Sequence, residues 1–227
     1  MSGLEQRIVL TGDDGAHGPL LRIADDRLPG GSAYGRHQHR AVDVVAVVLS
    51  GSLRHGWGEA PVVAAGDVAV LRAGAGLDHD ETAGNDGVRV LQCYLRSARP
   101  DAAPAYEVHR AASGWIDLGR ADARLWVARV LPGASVTVPA GLLVLRGADR
   151  VVVEQQAGGP VSEAGVALVW QLDTARPPWA DAFPGESPGA ACERVDACRP
   201  VRTCSPLPTT TPTAPSTCVV DCTGSPR

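Results

Sequence analysis

GRHQHRAVD, residues 35–43, sets His37 and His39 one residue apart at the head of an apolar run. In an extended strand, residues i and i+2 point to the same face. His37 and His39 therefore project together, and Gln38 faces the other way. Further along, AGAGLDHDE (residues 73–81) repeats the device: His79 and Glu81 share a face, and Asp80 takes the opposite one. If the two stretches meet inside a barrel, three imidazoles and one carboxylate converge. Such a donor set suits a divalent transition metal and leaves positions open to solvent, substrate or O2. The plainer alternative is four polar groups, exposed or hydrogen-bonded, at strand ends.

The surrounding sequence favours strands. Short apolar, β-type runs at 42–49, 53–57, 62–63, 68–72 and 88–95 are separated by turn signals, Ser50-Gly51, Gly66-Asp67 and Asn85-Asp86-Gly87. After the connection ARPDAAPAY (98–106), the pattern resumes at 123–130, 135–138, 142–145, 151–155 and 166–172. Only 113–118 hints at a turn of helix. Strands this short and this closely spaced predict an all-β barrel or sandwich. LPGASVTVPAG (131–141) is similar to LPGGSAYGRHQH (28–39), so the second half reads as a weak repeat of the first, without the H-x-H. Cys93, in VRVLQCYL, reads as a small buried hydrophobe.

Beyond residue 180 the composition changes. Eight of the 18 prolines and five of the six cysteines lie there, and the cysteine spacings match no C-x-x-C zinc pattern. Such a segment buries too little apolar surface to offset its ordering entropy, and 179–227 is expected to be disordered. The 227-residue chain has a net charge of -4, a pI near 5.8 and Arg as its sole basic residue besides histidine. That balance excludes the basic surface of a direct nucleic-acid binder. MSGLEQRIVLTGDD has an early Glu5 and no apolar core of a leader, and no apolar run approaches the roughly 20 residues of a membrane span. The expectation is a cytoplasmic protein.

The region from Gly18 to Leu95 resembles the N-terminal half of the pirin family, within the cupin superfamily. GPLLRIADDRLPGGSAYGRHQHRAVDVVAVVLSGSLRH is similar to the pirin lead followed by H-P-H-R, an acidic residue and L-x-G-x-x-x-H. AGDVAVLRAGAGLDHDE resembles the later G-D-V-Q-W-M-T-A-G-x-G-I-x-H-S-E. The resemblance implies a bicupin of two tandem β-barrels: residues 1–100 as the metal-binding cupin, 101–178 as a degenerate cupin without ligands, and 179–227 as the tail. It implies His37, His39, His79 and Glu81 as metal ligands. It also implies a flavonol (quercetin) dioxygenase, with Glu81 accepting the proton of an enediol-type substrate before O2 adds. Fe(II) is then the first candidate metal, with Mn, Ni, Co, Cu and Zn as alternatives. The rival implication is a metal-dependent regulator acting through protein partners without turnover, and a third is a vestigial metal site in a small-molecule carrier. A monomer is expected, since fused cupin halves cover each other.

The sequence departs from the family pattern at Gln38 in place of the central Pro, at Asp43 in place of Glu, and at Ala69-Val70-Leu71 in place of Q-W-M. These leave the metal set intact and bear on the substrate. Glu81 has two possible jobs, constant ligation or proton acceptance. His55, alternating with Leu53 and Trp57, either points into the barrel or is hydrogen-bonded at a strand end. Arg40 and Asp43 either orient the histidines or form a surface salt bridge. His17 and His109 lack partners at ligand spacing, and Trp115, Trp126 and Trp170 read as packing residues.

Overall fold

The computed structural model describes residues 3–12, 16–58 and 61–174. The expected tail, and five of the six cysteines, lie outside the described residues. Within them the chain is all β, with no helix. Its strands are β1 Glu5–Thr11, β2 Leu20–Leu28, β3 His37–His39, β4 Val42–His55, β5 Val63–Ala64, β6 Val68–Arg72, β7 Leu77–His79 and β8 Glu81–Arg96. They continue with β9 Ala105–His109, β10 Gly114–Ile116, β11 Ala123–Val130, β12 Val136–Val138, β13 Gly141–Arg146, β14 Val151–Gln156, β15 Gly159–Val161 and β16 Gly165–Leu172.

The first sheet runs β1-β2-β8-β4-β6-β9, with β5 on β4, and a small β3-β7 sheet accompanies it. The second runs β10-β11-β16-β13-β14, accompanied by β12-β15. The two paths match strand for strand apart from β5 and β9, so the weak sequence repeat is a duplicated topology. Alternation divides each sheet's side chains. One face of each supplies a shared core that includes Val45, Val47, Leu91, Cys93 and Leu95 from the first sheet and Leu125, Val144, Leu168 and Trp170 from the second. The opposite faces line the two barrels, with Ala46, Val48, Leu53 and Val90 in the first and Val138, Leu143, Val161 and Val169 in the second.

Two expectations are corrected. Ser50-Gly51 and Asn85-Asp86-Gly87 do not end strands: they lie within β4 and β8, which pair along most of their lengths with register shifts between Val48 and Ser50 and between Gly51 and Leu53. The glycines serve bulges that bend a long strand pair. Gly51 has φ +70°, and a Cβ there would fall 2.0 Å from the Gly87 carbonyl oxygen. The second correction is 113–118, whose centre is strand β10, paired Trp115 to Trp126 on β11. A three-residue strand is too short to show a period.

Charged groups are buried where the sheets meet. Asp25 of β2 accepts a two-pronged hydrogen bond from Arg89 of β8 (2.9 and 2.7 Å) and lies 3.0 Å from Nε of Arg146 on β13. The shared core carries most of the cohesion. Leu168→Ala, at a fully buried position between the sheets, is expected to cost about 2–5 kcal/mol, read as a lower urea midpoint at unchanged slope.

Candidate metal centre

Antiparallel pairing of β3 with β7 sets His37 directly across from His79, with Gln38 opposite Asp78 and His39 opposite Leu77. His39 and His79 are buried, His37 is partly exposed, and Gln38 faces outward. One donor atom from each of His37, His39 and His79 lies within 4.8 Å of the others. The Nε2 atom of His37 is 3.0 Å from that of His39 and 3.0 Å from that of His79.

The hydrogen bonding prepares these nitrogens for a cation. His37 Nδ1 lies 2.8 Å from the Gly35 carbonyl oxygen. A carbonyl only accepts, so Nδ1 carries the proton and the Nε2 lone pair of neutral His37 points into the cluster. Burial, reinforced by the neighbouring His37, His39 and His55, pushes His79 down to about 3 against the pull of Glu81. His79 is therefore neutral at physiological pH, the form a metal needs. Three nitrogen donors fit a divalent transition ion.

Glu81 shares the interior face, as alternation requires, but its carboxylate is engaged from the side. Oε1 lies 3.0 Å from Nε2 of His55, its register partner on β4, and Oε2 accepts a 3.0 Å hydrogen bond from Gln92 Nε2. Burial works against ionisation of this carboxyl, yet the His55 contact and the field of His55, His79 and His37 outweigh it and hold Glu81 near 2. Of the four expected donors, the structure brings the three imidazoles together and sets Glu81 beside them in a His55–Glu81–Gln92 chain.

His55 points inward, stacking on His79 (5.4 Å, 28°) and lying 4.6 Å from the Tyr106 ring. All three tyrosines of the chain flank the cluster: Tyr34 beside His37 (6.4 Å), Tyr94 beside His39 (6.0 Å) and Tyr106 beside His55. The Arg22 guanidinium covers the far side of Tyr94 at 4.3 Å. Sequence reasoning missed Tyr34, Tyr94, Tyr106, Gln92 and Asp26. Polar residues at inward positions of β2 and β8, in otherwise apolar runs, were the available signal. Asp43 goes to Arg120 instead (2.8 Å), whose side chain is 2% exposed and also grips Asp122 (2.6 Å). Arg40 is exposed, and His109 lies 3.6 Å from Glu107.

The second barrel has apolar residues at the equivalent places. Val136 pairs with Val161 as His37 does with His79, and Val138 occupies the place of His39.

Residues 13–95 match the family model named Pirin. The structure is similar to the Escherichia coli pirin YhhW in complex with nickel(II), with a TM-score of 0.59 and 19% identity over 76% of this chain and 93% of that one. It is similar also to GK1651 of Geobacillus kaustophilus, with a TM-score of 0.56 and 21% identity over 77% and 91% of the two chains. A Mycobacterium tuberculosis (strain H37Rv) protein provisionally named a quercetin 2,3-dioxygenase is 28% identical over 70% of this chain and 82% of its own length. The fold is a bicupin. Within that class, the match to the pirin model lies in the first half of the chain. No helix among the described residues is long and apolar enough to cross a membrane.

Proposed function

We propose that His37, His39 and His79, with Glu81, hold one divalent transition metal, and that the protein is an oxygenase of flavonol-type enediols, a quercetin 2,3-dioxygenase. The observation that carries this reading is the convergence of three Nε2 donors on one barrel face. The names of the relatives, quercetin 2,3-dioxygenases among them, supply the substrate class. When bound, the metal supplies a Lewis-acid centre for a ligand oxygen and access to O2 chemistry, which favours Fe(II), Mn, Ni, Co or Cu over Zn.

The chain's own residues do the rest. Gly35 fixes the His37 tautomer. Glu81 brings a negative charge that stays ionised throughout the physiological range. With both oxygens in contact with buried donors and so low a proton affinity, Glu81 is better suited to holding a cation than to accepting a proton. Tyr34, Tyr94 and Tyr106 offer ring surface against which a planar polyphenol can pack. Residues 1–100 carry the metal in this reading, and 101–178 serve as the packing partner, with valines in the ligand places.

Metal analysis of the purified protein, followed by O2 uptake with quercetin, tests the reading. The expected result is about one metal per chain and O2 consumption that ceases in His37→Ala/His79→Ala. Bound metal without O2 uptake would favour the non-catalytic regulator, and absence of metal would remove the site.

A further inference from the structure

The first barrel holds a second buried carboxylate, Asp26, placed quite differently from Glu81. Asp26 is 0% exposed. Alternation along β2 puts Asp26 on the barrel side with Arg22 and Leu28, while Asp25 faces the seam. Its Oδ2 accepts a 2.7 Å hydrogen bond from the Tyr34 hydroxyl and a 3.3 Å one from Gln6 Nε2 on β1. Its Oδ1 is buried without a hydrogen-bond partner among the described residues.

Tyr34 links this carboxyl to the histidines. Its ring lies 6.4 Å from that of His37, its backbone N–H donates to the Glu81 carbonyl (3.0 Å), and its hydroxyl reaches Asp26. Gln92, which also binds Glu81, interacts with the same hydroxyl. Burial raises Asp26 to about 6, against the hydrogen bonds from Tyr34 and Gln6 and the charge of Arg22 on its own strand; Glu81 of β8 adds to the rise. Asp26 is thus poised to take or give a proton, with the Tyr34 hydroxyl already seated on its Oδ2.

We propose that Asp26, reached through Tyr34, is the proton-holding group of this site, taking up the proton that a hydroxylated ligand releases at the histidine cluster. The ligand O–H bond breaks, its proton passes to the Tyr34 oxygen, and the proton formerly on Tyr34 forms the new O–H bond on Asp26 Oδ2. The ligand is left as an oxyanion and no electron changes hands. Asp26 and Tyr34 are positioned for this transfer, while the ligand itself is held elsewhere. The ligand half of the inference rests on the metal reading; the Asp26 half stands without metal.

Infrared difference spectroscopy of the metal-free protein tests the Asp26 half. A protonated-carboxyl band should appear as pH falls through about 6, vanish in Asp26→Asn and persist in Glu81→Gln and Tyr34→Phe. A band that survives in Asp26→Asn, or its absence from the wild type, overturns the assignment. Proton release to a pH-indicator dye on adding quercetin to metal-loaded protein above pH 7 tests the transfer. The wild type should release the ligand's proton with a lag, as Asp26 takes it first and then, with a proton affinity near 6, yields it to solvent. Both Asp26→Asn, which keeps the shape and the acceptor oxygen, and Tyr34→Phe should release it without the lag at unchanged metal content. Equal release kinetics in all three proteins overturn the transfer. Failure of the wild type to hold metal would sink the metal reading and leave the carboxyl band to decide on Asp26.

Discussion

Alanine at His79 is expected to abolish stoichiometric metal binding, lowering affinity by more than about 100-fold. Loss of an outer partner of a ligating histidine alone costs 10–100-fold, and this substitution removes a donor. Nothing nearby replaces it. His79 Nε2 is one of the three converging atoms, and Glu81, beside them, is already counted among the proposed ligands. Gln38→Ala is the matched control. Gln38 sits between two proposed ligands but faces outward, so metal content should be unchanged. Isothermal titration with Ni(II) or Fe(II), with circular dichroism to confirm folding, separates the two variants.

Glu81→Ala is expected to destabilise the metal-free protein by about 1–3 kcal/mol, the usual cost of leaving buried hydrogen-bonding groups without their partner. The substitution strands His55 and Gln92, both buried beside Glu81. The same residues make wild-type stability depend on pH. Glu81 is held near 2 in the folded chain, below its ordinary 4.5. Its contribution is therefore complete above about 4.5 and lost as pH falls towards 2. His79 is neutral when folded down to about 3, whereas its unfolded form takes a proton below 6.5. It also withdraws stability as pH falls from 6.5 to about 3. The two effects share a sign, while Asp26, raised to about 6, opposes them between about 6 and 3.8. The urea midpoint of metal-free Asp26→Asn, in which that opposition is removed, should therefore drop steadily from pH 7 to pH 3. A midpoint unchanged over that interval would contradict the placement of Glu81 and His79.

The pairing within each short stretch was legible because strand alternation has a fixed period of two: His37 with His39, His79 with Glu81. What could not be read was the register between them. Nothing in the chain announces that His37 lies across from His79, or that His55 lies across from Glu81; the second pairing lies beyond the register shift between Gly51 and Leu53. The turn signals there misled for the same reason, because a glycine at positive φ serves a bulge as readily as a hairpin. The duplicated topology left only a faint trace in the sequence because a barrel needs alternating apolar residues and little else. His37, His39 and His79 could become Val136, Val138 and Val161 at the equivalent places without changing the strand path. Asp26 escaped notice because the acidic pair Asp25-Asp26 in IADDRL reads as exposed until the sheet closes over it.

X-ray absorption at the metal edge of the purified, metal-loaded protein bears most directly on the central claim. The expected spectrum shows three imidazole ligands, and His39→Ala, with the fold intact, should no longer retain the metal. A metal bound with one imidazole or none, or a spectrum unchanged by that substitution, would contradict the account.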